Sequence, residues 1–414
     1  MFETTKSKAA THPDAEGTGT TPPGTAVKGR GRFTPASLTR LALIVVLLIM
    51  PFYLDQSLLQ TGLFAMAAIV GAIGLTLLVG GAGQLSLAHA FFLAIGAYSY
   101  AYLSGRSGVA GASSADGLQL PTIVAMVLAV LISGLAGLLF SPIASRLRGI
   151  YLGVASLSLV FIGTFLYENY RTITGGFNGR AVPELDLLGF RFAKADPFLT
   201  VAGVPFERFE KLWYLFLVLT IAAYVFANNV LRGRMGRAMQ TMRDSEVAAA
   251  VMGVDVRRTK AGVFVLSSMY AGLAGVMVAL AFSRVTPDYF NLNLSIAYLA
   301  MIVIGGLASV GGAALGATFV SVVPPLLSRY SDRLPFVAES GSSGYDPGKI
   351  STLLYGVAIV VVVLFEPGGL AAFSRRLTGR RNQPASSGSS AAHSASPDTE
   401  RVGSTSDANQ EDPR

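Results

Sequence analysis

A series of ten long apolar runs, separated by short polar segments, constrains this chain more than any other feature of its sequence. A transmembrane α-helix needs about 20 predominantly apolar residues to cross a hydrocarbon core about 30 Å thick. Charged residues make up only 14% of the chain, against roughly 25% in a soluble globular protein, so a soluble fold could not cover its surface with charge. The sequence therefore predicts an all-α polytopic membrane protein with about ten transmembrane helices. The predicted spans are 38–54, 58–80, 85–103, 121–141, 150–167, 212–231, 260–282, 294–308, 311–328 and 350–365.

The scarcity of some residue types excludes several kinds of site. The chain contains no cysteine, which excludes disulfides, thiol nucleophiles and cysteine-bound metals. Its histidines are His12, His89 and His393, and only His89 lies in an apolar run. We therefore predict no metal centre and no bound cofactor.

The positions of the Lys and Arg residues predict the orientation of the chain. Short cytoplasmic segments of membrane proteins are enriched in these residues. With a cytoplasmic N-terminus, ten spans place three basic clusters on the cytoplasmic side, so the net charge of +8 is explained by the lipid bilayer and not by a nucleic-acid partner. The clusters are Arg146 with Arg148; Arg232, Arg234, Arg237, Arg243, Arg257, Arg258 and Lys260; and Arg375, Arg376, Arg380 and Arg381. Both termini are predicted to be cytoplasmic.

The domain organisation follows from this topology. Residues 1–37 are polar and are predicted to form a disordered cytoplasmic tail. Residues 38–370 form the transmembrane domain, with an extracytoplasmic loop at 168–211 and a cytoplasmic segment at 232–259. Residues 371–414 begin with basic residues and continue as a second predicted disordered cytoplasmic tail.

A glycine-rich and polar segment at 80–90 interrupts the apolar pattern. It contains Gly80, Gly81 and Gly83, followed by Gln84, Ser86 and His89. Backbone polar groups at membrane depth must be satisfied by protein or by a water-lined cavity, and polar side chains there face the bundle interior. The segment therefore indicates either a broken helix that lines a permeation path or a close helix contact with interhelical hydrogen bonds.

The cytoplasmic segment predicts two short helices. Residues 237–243 form the first, and Asp244 is the expected N-cap of the second, because its carboxylate can accept from free backbone N–H groups. Glu246 suits the first turn of that helix, and Gly253 suits its C-cap, where positive φ is required. A short helix with small side chains either docks another protein closely or lies on the membrane surface.

A second glycine run, at 305–316, contains Gly305, Gly306, Gly311 and Gly312. Small residues allow two helices to cross closely. The run therefore indicates helix packing, with a hinge or a path lining as the alternative.

These segments together resemble the LivM-type permease subunits of branched-chain amino-acid ABC transporters. The resemblance extends from about residue 40 to about residue 370, with Ala88 and Phe177 as departures from the family pattern. It rests on the ordered motifs at 80–92, 96–98, 146–151, 174–179, 236–253 and 305–312.

The resemblance implies the fold and the partners of an ABC importer permease with a broken central helix. A second homologous permease, two cytoplasmic ATPase subunits and an extracytoplasmic substrate-binding protein would complete the transporter in a prokaryotic cell membrane. The chain itself would be a transport subunit and no enzyme. It implies ATPase docking at Arg237, Arg243, Asp244, Glu246, Ala248, Ala249 and Gly253; a translocation path at Gln84, Ser86 and His89; and helix packing or a hinge at Gly80, Gly81, Gly83, Gly305, Gly306, Gly311 and Gly312.

Three alternatives remain open on the sequence. The family is similar to urea permeases, so urea or another small polar solute is the alternative substrate. A secondary transporter or channel also uses broken helices but usually carries an intramembrane acid or base for ion coupling, which the span interiors lack. An intramembrane enzyme would need more than Ser86 and His89 at membrane depth.

Overall fold

In a computed structural model, residues 44–105, 117–147, 149–187, 207–307 and 309–329 are described, with single positions at 42, within 190–205 and within 350–370. The helices before the cytoplasmic segment are α1 (Gln56–Leu75, continued by a π-helical turn at Thr76–Gly81), α2 (His89–Ser104), α3 (Thr122–Arg146), α4 (Ile150–Asn169), the single turn α5 (Arg171–Thr174) and α6 (Arg208–Arg232). They are followed by α7 (Arg234–Asp244), α8 (Glu246–Val251), α9 (Val256–Phe282), α10 (Leu292–Gly305) and α11 (Val310–Arg329).

In the described part of the chain, strands occur only as three antiparallel pairs, and each strand has two residues. β1 (Arg180–Ala181) pairs with β6 (Arg284–Val285), β2 (Asp186–Leu187) with β3 (Phe190–Arg191), and β4 (Thr200–Val201) with β5 (Val204–Pro205). 3₁₀ turns occur at Met50–Phe52, Gly176–Asn178 and Pro287–Phe290.

The eight central predicted spans each correspond to one helix, which confirms the polytopic helical fold class. Within the described residues, five helices are long and apolar enough to cross a membrane, namely α1 with its π turn, α3, α4, α6 and α9. α10 and α11 are shorter apolar helices. The span predicted at 85–103 begins late, at His89, because the chain before it is not helical. The span predicted at 38–54 is described at position 42 and from residue 44 onward, and residues 44–49 are helical. Most of the span predicted at 350–365 and both predicted tails lie outside the described residues, so the count of ten stays a prediction.

α9 is the central helix of the bundle and packs along α1, α2 and α3. Its glycines explain how closely it approaches α2. A Cβ atom at Gly275 would overlap the carbonyl oxygen of Leu93, and one at Gly96 would overlap the backbone of Gly272. Two helix backbones can meet this closely only where at least one of the two facing residues has no side chain. The core thus lies where α1, α2 and α9 meet, next to the predicted helix break.

A second close crossing joins α10 to α11. A Cβ atom at Gly305 would overlap the backbone of Gly312, whereas Gly306 follows α10 with a φ of +108°. Gly311 has ordinary space around it, since the nearest atom to its Cβ position is the Tyr224 hydroxyl at 3.6 Å. The glycine run therefore lies at a helix contact, and the alternative role as a hinge stays a prediction.

The charged residues collect at the two ends of the bundle. At one end, Arg146 from α3 and Arg257 from α9 line the same groove. At the other, Arg180 donates to the carbonyl oxygens of Ala101 and Ile173, and Arg284 donates to that of Asn178. This arrangement agrees with a bundle that spans a bilayer, and which end is cytoplasmic stays the prediction from the positive-inside rule.

Candidate functional site

The predicted break in the central helix is present between α1 and α2. α1 widens into the π turn at Thr76–Gly81 and ends there. Gly83 then adopts a φ of +68°, a conformation that only glycine takes without strain. Regular helix resumes at His89, so residues 84–88 connect the two helices without helical hydrogen bonding of their own.

The far end of this connection lies deep in the bundle. The His89 ring lies edge-on against the Tyr298 ring, with 4.6 Å between the centroids. The Tyr298 ring in turn lies 2.6 Å from the position that a Cβ atom would take at Gly71. Gly71 precedes Gly81 by ten residues, which corresponds to about 15 Å of helix at a rise of 1.5 Å per residue. Residues 84–88 therefore run back from the end of α1 to the middle of the bundle.

Burial alternates along residues 84–88. Gln84, Ser86 and Ala88 are buried, whereas Leu85 and Leu87 are half-buried. Alternation with a period of two is typical of extended backbone, in which successive side chains point to opposite sides. The polar side chains Gln84 and Ser86 therefore share one side of the segment, and in this conformation both are enclosed.

Serine hydroxyls satisfy the backbone of this connection. The Leu87 N–H donates to Ser156 Oγ of α4 at 2.8 Å, and the Ala90 N–H donates to Ser295 Oγ of α10 at 3.0 Å. The Ala88 N–H donates to Ser86 Oγ at 3.3 Å. These three backbone N–H groups would be unpaired at membrane depth because the helix is interrupted, and the serine hydroxyls pair them. Neither Ser156 nor Ser295 is among the predicted site residues, because a serine inside an apolar span gives no signal of its partner.

Gln84 and His89 retain unused hydrogen-bonding capacity. Both amide atoms of Gln84 and the Nε2 atom of His89 are buried and have no hydrogen-bond partner among the residues that the structure describes. Buried polar atoms are almost always paired with protein, water or ligand. These side chains can therefore donate to or accept from a small polar molecule or water inside the bundle.

The predicted cytoplasmic helices are present as α7 and α8, with two corrections. The cap of α8 is Ser245, whose Oγ accepts from the Ala248 N–H at 3.2 Å; the prediction that Asp244 is the cap is wrong. Asp244 instead ends α7, because the amphipathic face of α7, with Met239 and Met242 buried, continues up to it. The C-cap of α8 is Met252 rather than the predicted Gly253, which follows it and has the positive φ expected for it, +83°.

The residues predicted to dock an ATPase differ in how they are placed. Arg237, Asp244 and Gly253 are exposed and Ala248 is half-buried, whereas Ala249 is fully buried. Ala249 therefore packs against the bundle and does not lie on a surface that a partner could contact.

Glu246 and Arg243 both make contacts inside the chain. Glu246 pairs with Lys260 of α9, with 2.6 Å between Oε1 and Nζ, and the Lys260 side chain is 4% exposed. This pair fixes α8 to the base of α9. Arg243 donates to the carbonyl oxygen of Gly80 at 2.7 Å, across 163 positions of sequence.

The exposed side of α8 is apolar, although the sequence predicts a helix with small side chains there. Val247, Val251 and Met252 are 70%, 83% and 73% exposed. Beside them, a groove of about 500 Å³ separates α8 from the end of α3. Its lining residues are Ser145, Arg146, Glu246, Val247, Ala250, Val256 and Arg257. The α8 face and its groove combine apolar contact area with two arginines, a combination that suits binding to a partner protein.

Comparison with known proteins identifies similar sequences. The family model described as "Branched-chain amino acid transport system / permease component" matches residues 55–363. The high-affinity branched-chain amino acid transport system permease protein LivM of Salmonella typhimurium is 29% identical over 355 residues, which cover 83% of this chain and 77% of that protein.

Two further relatives are more distant. The permease protein LivH of the same transport system in Salmonella typhimurium is 25% identical over 63% of this chain and 81% of its own length. The ribose import permease protein RbsC of Haemophilus influenzae is 25% identical over 49% of this chain and 57% of its own length. No solved structure matches the chain.

Proposed function

Because the chain belongs to the branched-chain amino acid transport permease family, we propose that it is the membrane-spanning subunit of an ATP-driven importer of leucine, isoleucine and valine. The match to LivM, which covers 83% of this chain, carries the proposal. The chain is a transport subunit rather than an enzyme. Its place is in a membrane, as the five long apolar helices require.

The proposed pathway passes the break between α1 and α2. Gln84, Ser86 and His89 line it, and the unused atoms of Gln84 and His89 supply polar contacts for a solute that carries an ammonium and a carboxylate group. Because these side chains are enclosed in the present conformation, the solute reaches them only after the surrounding helices move. A switch between two such conformations is a population shift, and a ligand or partner drives it only by binding the two states differently.

The proposed partners follow from the two ends of the bundle. A second permease related to LivH completes the pathway, and a substrate-binding protein delivers the amino acid at the end that carries Arg180 and Arg284. Two ATPase subunits bind the permease pair at the opposite end, and one of them binds this chain on the apolar side of α8 and the groove beside it. That end is the cytoplasmic one in this proposal, as are both termini, in the cell membrane of a prokaryote.

The proposal is tested by purification of the tagged chain in mild detergent and mass spectrometry of the proteins that accompany it. We expect a second permease and an ATPase. The complex is then reconstituted in liposomes with its binding protein, and uptake of labelled leucine, isoleucine, valine, urea and ribose is measured with and without ATP. Uptake of the three amino acids only with ATP supports the proposal. ATP-independent uptake by the chain alone contradicts the importer, and uptake of urea or ribose alone contradicts the substrate.

A further inference from the structure

The short helix α7 packs directly on the glycine turn that ends α1. The Met239 methyl group lies 2.6 Å from the position a Cβ atom would take at Gly81, and Arg243 Cγ lies 3.2 Å from that position at Gly83. Larger residues at these two positions would push α7 away. The glycines of this turn thus serve the contact with α7 as well as the interruption of the helix.

Arg243 also makes a directed bond to this turn. Its Nη1 atom donates to the Gly80 carbonyl oxygen at 2.7 Å. The last carbonyl groups of a helix lack an N–H partner within the helix, and a cation near them is favoured by the helix dipole. The neighbouring carbonyls of Leu78 and Val79 are used instead by the N–H groups of Gln84 and Gly83. Arg243 therefore holds the turn at the point where the chain leaves α1.

The same arginine stands next to the proposed docking surface. Only Asp244 and Ser245 separate it from the start of α8, whose other side carries the exposed Val247. α8 is also fixed to α9 through Glu246 and Lys260. A displacement of α8 by a bound partner therefore acts on Arg243 across two residues, and Arg243 acts on the beginning of the break.

We propose that Arg243 is a positioning residue that couples the docking surface to the helix break, through its bond to the Gly80 carbonyl. This inference rests on the proposed function and refines the docking role expected for Arg243 from the sequence. Arg243 is exposed, and its guanidinium is bonded to the Gly80 carbonyl at the start of the break. In the transport cycle, movement of α8 displaces Arg243, which either keeps or loses its bond to the Gly80 carbonyl. The segment 84–88, with Gln84 and Ser86, changes position as a result.

The test compares Arg243→Gln and Arg243→Lys with the parent in the reconstituted complex. Arg234→Gln is the matched control, because Arg234 is an exposed arginine on the same helix. Three quantities are measured for each: the ATPase recovered with the chain, the rate of ATP hydrolysis stimulated by the loaded binding protein, and the rate of amino-acid uptake. We expect Arg243→Gln to keep the ATPase and hydrolysis while uptake falls at least about tenfold, the size of an allosteric coupling. Arg243→Lys, which keeps the positive charge and a long side chain that donates to a carbonyl, should recover more of the uptake than the neutral, shorter glutamine.

A second readout follows the break itself. Since the chain has no cysteine, Leu87→Cys introduces its only thiol, and mass spectrometry of this chain measures how fast a maleimide modifies it. In the parent background the rate should differ between the ATP-free complex and the vanadate-trapped complex. In the Arg243→Gln background that difference should disappear.

The outcomes separate the inference from the proposed function. Loss of the ATPase from the Arg243→Gln complex, with hydrolysis and uptake lost together, would show that Arg243 binds the partner and would overturn the coupling role. Parental uptake, or an unchanged maleimide difference, would overturn it as well. Failure of the parent complex to transport with ATP would instead contradict the importer itself, whatever Arg243 does.

Discussion

Replacement of Ser156 by alanine tests how the helix break is held in the membrane. The change removes one oxygen atom and little volume, and it leaves the Leu87 N–H without the acceptor that now lies 2.8 Å away. Ser156 is fully buried, so water cannot easily take its place. A buried donor left unpaired costs about 1–3 kcal/mol, whereas interhelical hydrogen bonds in membranes average about 0.6 and reach about 1.7 kcal/mol. We expect the overlap of these ranges, a loss of about 1–1.7 kcal/mol in the free energy of unfolding.

The measurement is equilibrium unfolding of the purified chain in mixed micelles of increasing SDS content, followed by far-ultraviolet circular dichroism. Ser158→Ala is the matched control, because Ser158 is exposed on the same helix and its hydroxyl bonds only to the Val154 carbonyl at 3.3 Å. That variant should change the free energy of unfolding by less than about 0.5 kcal/mol, as surface substitutions usually do. Equal losses for Ser156→Ala and Ser158→Ala would refute the reasoning, since the contact to Leu87 would then contribute nothing.

Three further predictions concern other parts of the chain. Gly253→Arg should abolish uptake in membrane vesicles without preventing insertion of the chain. Gly253→Asn should retain uptake, because asparagine tolerates the left-handed backbone conformation. An equal loss of uptake in both variants would indicate backbone strain and not a blocked docking surface. Gly275→Ala should lower the free energy of unfolding in SDS by about 1–3 kcal/mol, because its Cβ would overlap the Leu93 carbonyl oxygen. Gly311→Ala should leave that free energy unchanged, because there is ordinary space around the Cβ position of Gly311. Deletion of 382–414 should leave uptake unchanged, and a large loss would reveal a partner site in that tail.

The helices and the break could be predicted because each depends on a local property of the sequence. An apolar run of sufficient length specifies a span, and a glycine turn followed by Gln84 and Ser86 cannot continue an apolar helix. The correction at Ser245 shows the limit of this reasoning. Asp244 and Ser245 are both good N-cap residues, and the choice between them depends on how far α7 continues with Met239 and Met242 packed against the bundle.

The contacts that hold the break could not be predicted, because they join residues that are distant in sequence. Ser156 and Ser158 look alike in an apolar span, yet only the first meets the backbone of Leu87, 69 positions earlier. Arg243 resembles its neighbouring arginines in the cytoplasmic segment, and its bond to Gly80 depends on α7 folding back against the end of α1. The sequence indicates which residues have hydrogen-bonding capacity, and the helix packing decides which of them use it on the break.

The segment at the helix break is held by single side-chain hydrogen bonds, whereas the surrounding helices are held by close packing. Leu87 is bonded to α4 and Ala90 to α10 by single serine hydroxyls, and Gly80 is bonded to α7 by Arg243. Because three separate helices supply these bonds, no one helix can move far without changing the position of the segment. Each bond is nevertheless weak on the scale of interhelical hydrogen bonds, about 0.6 kcal/mol on average, and a hydroxyl can exchange one backbone partner for another at little cost. We therefore expect this segment to oppose a passage between two helix arrangements only slightly, as the proposed translocation path would require.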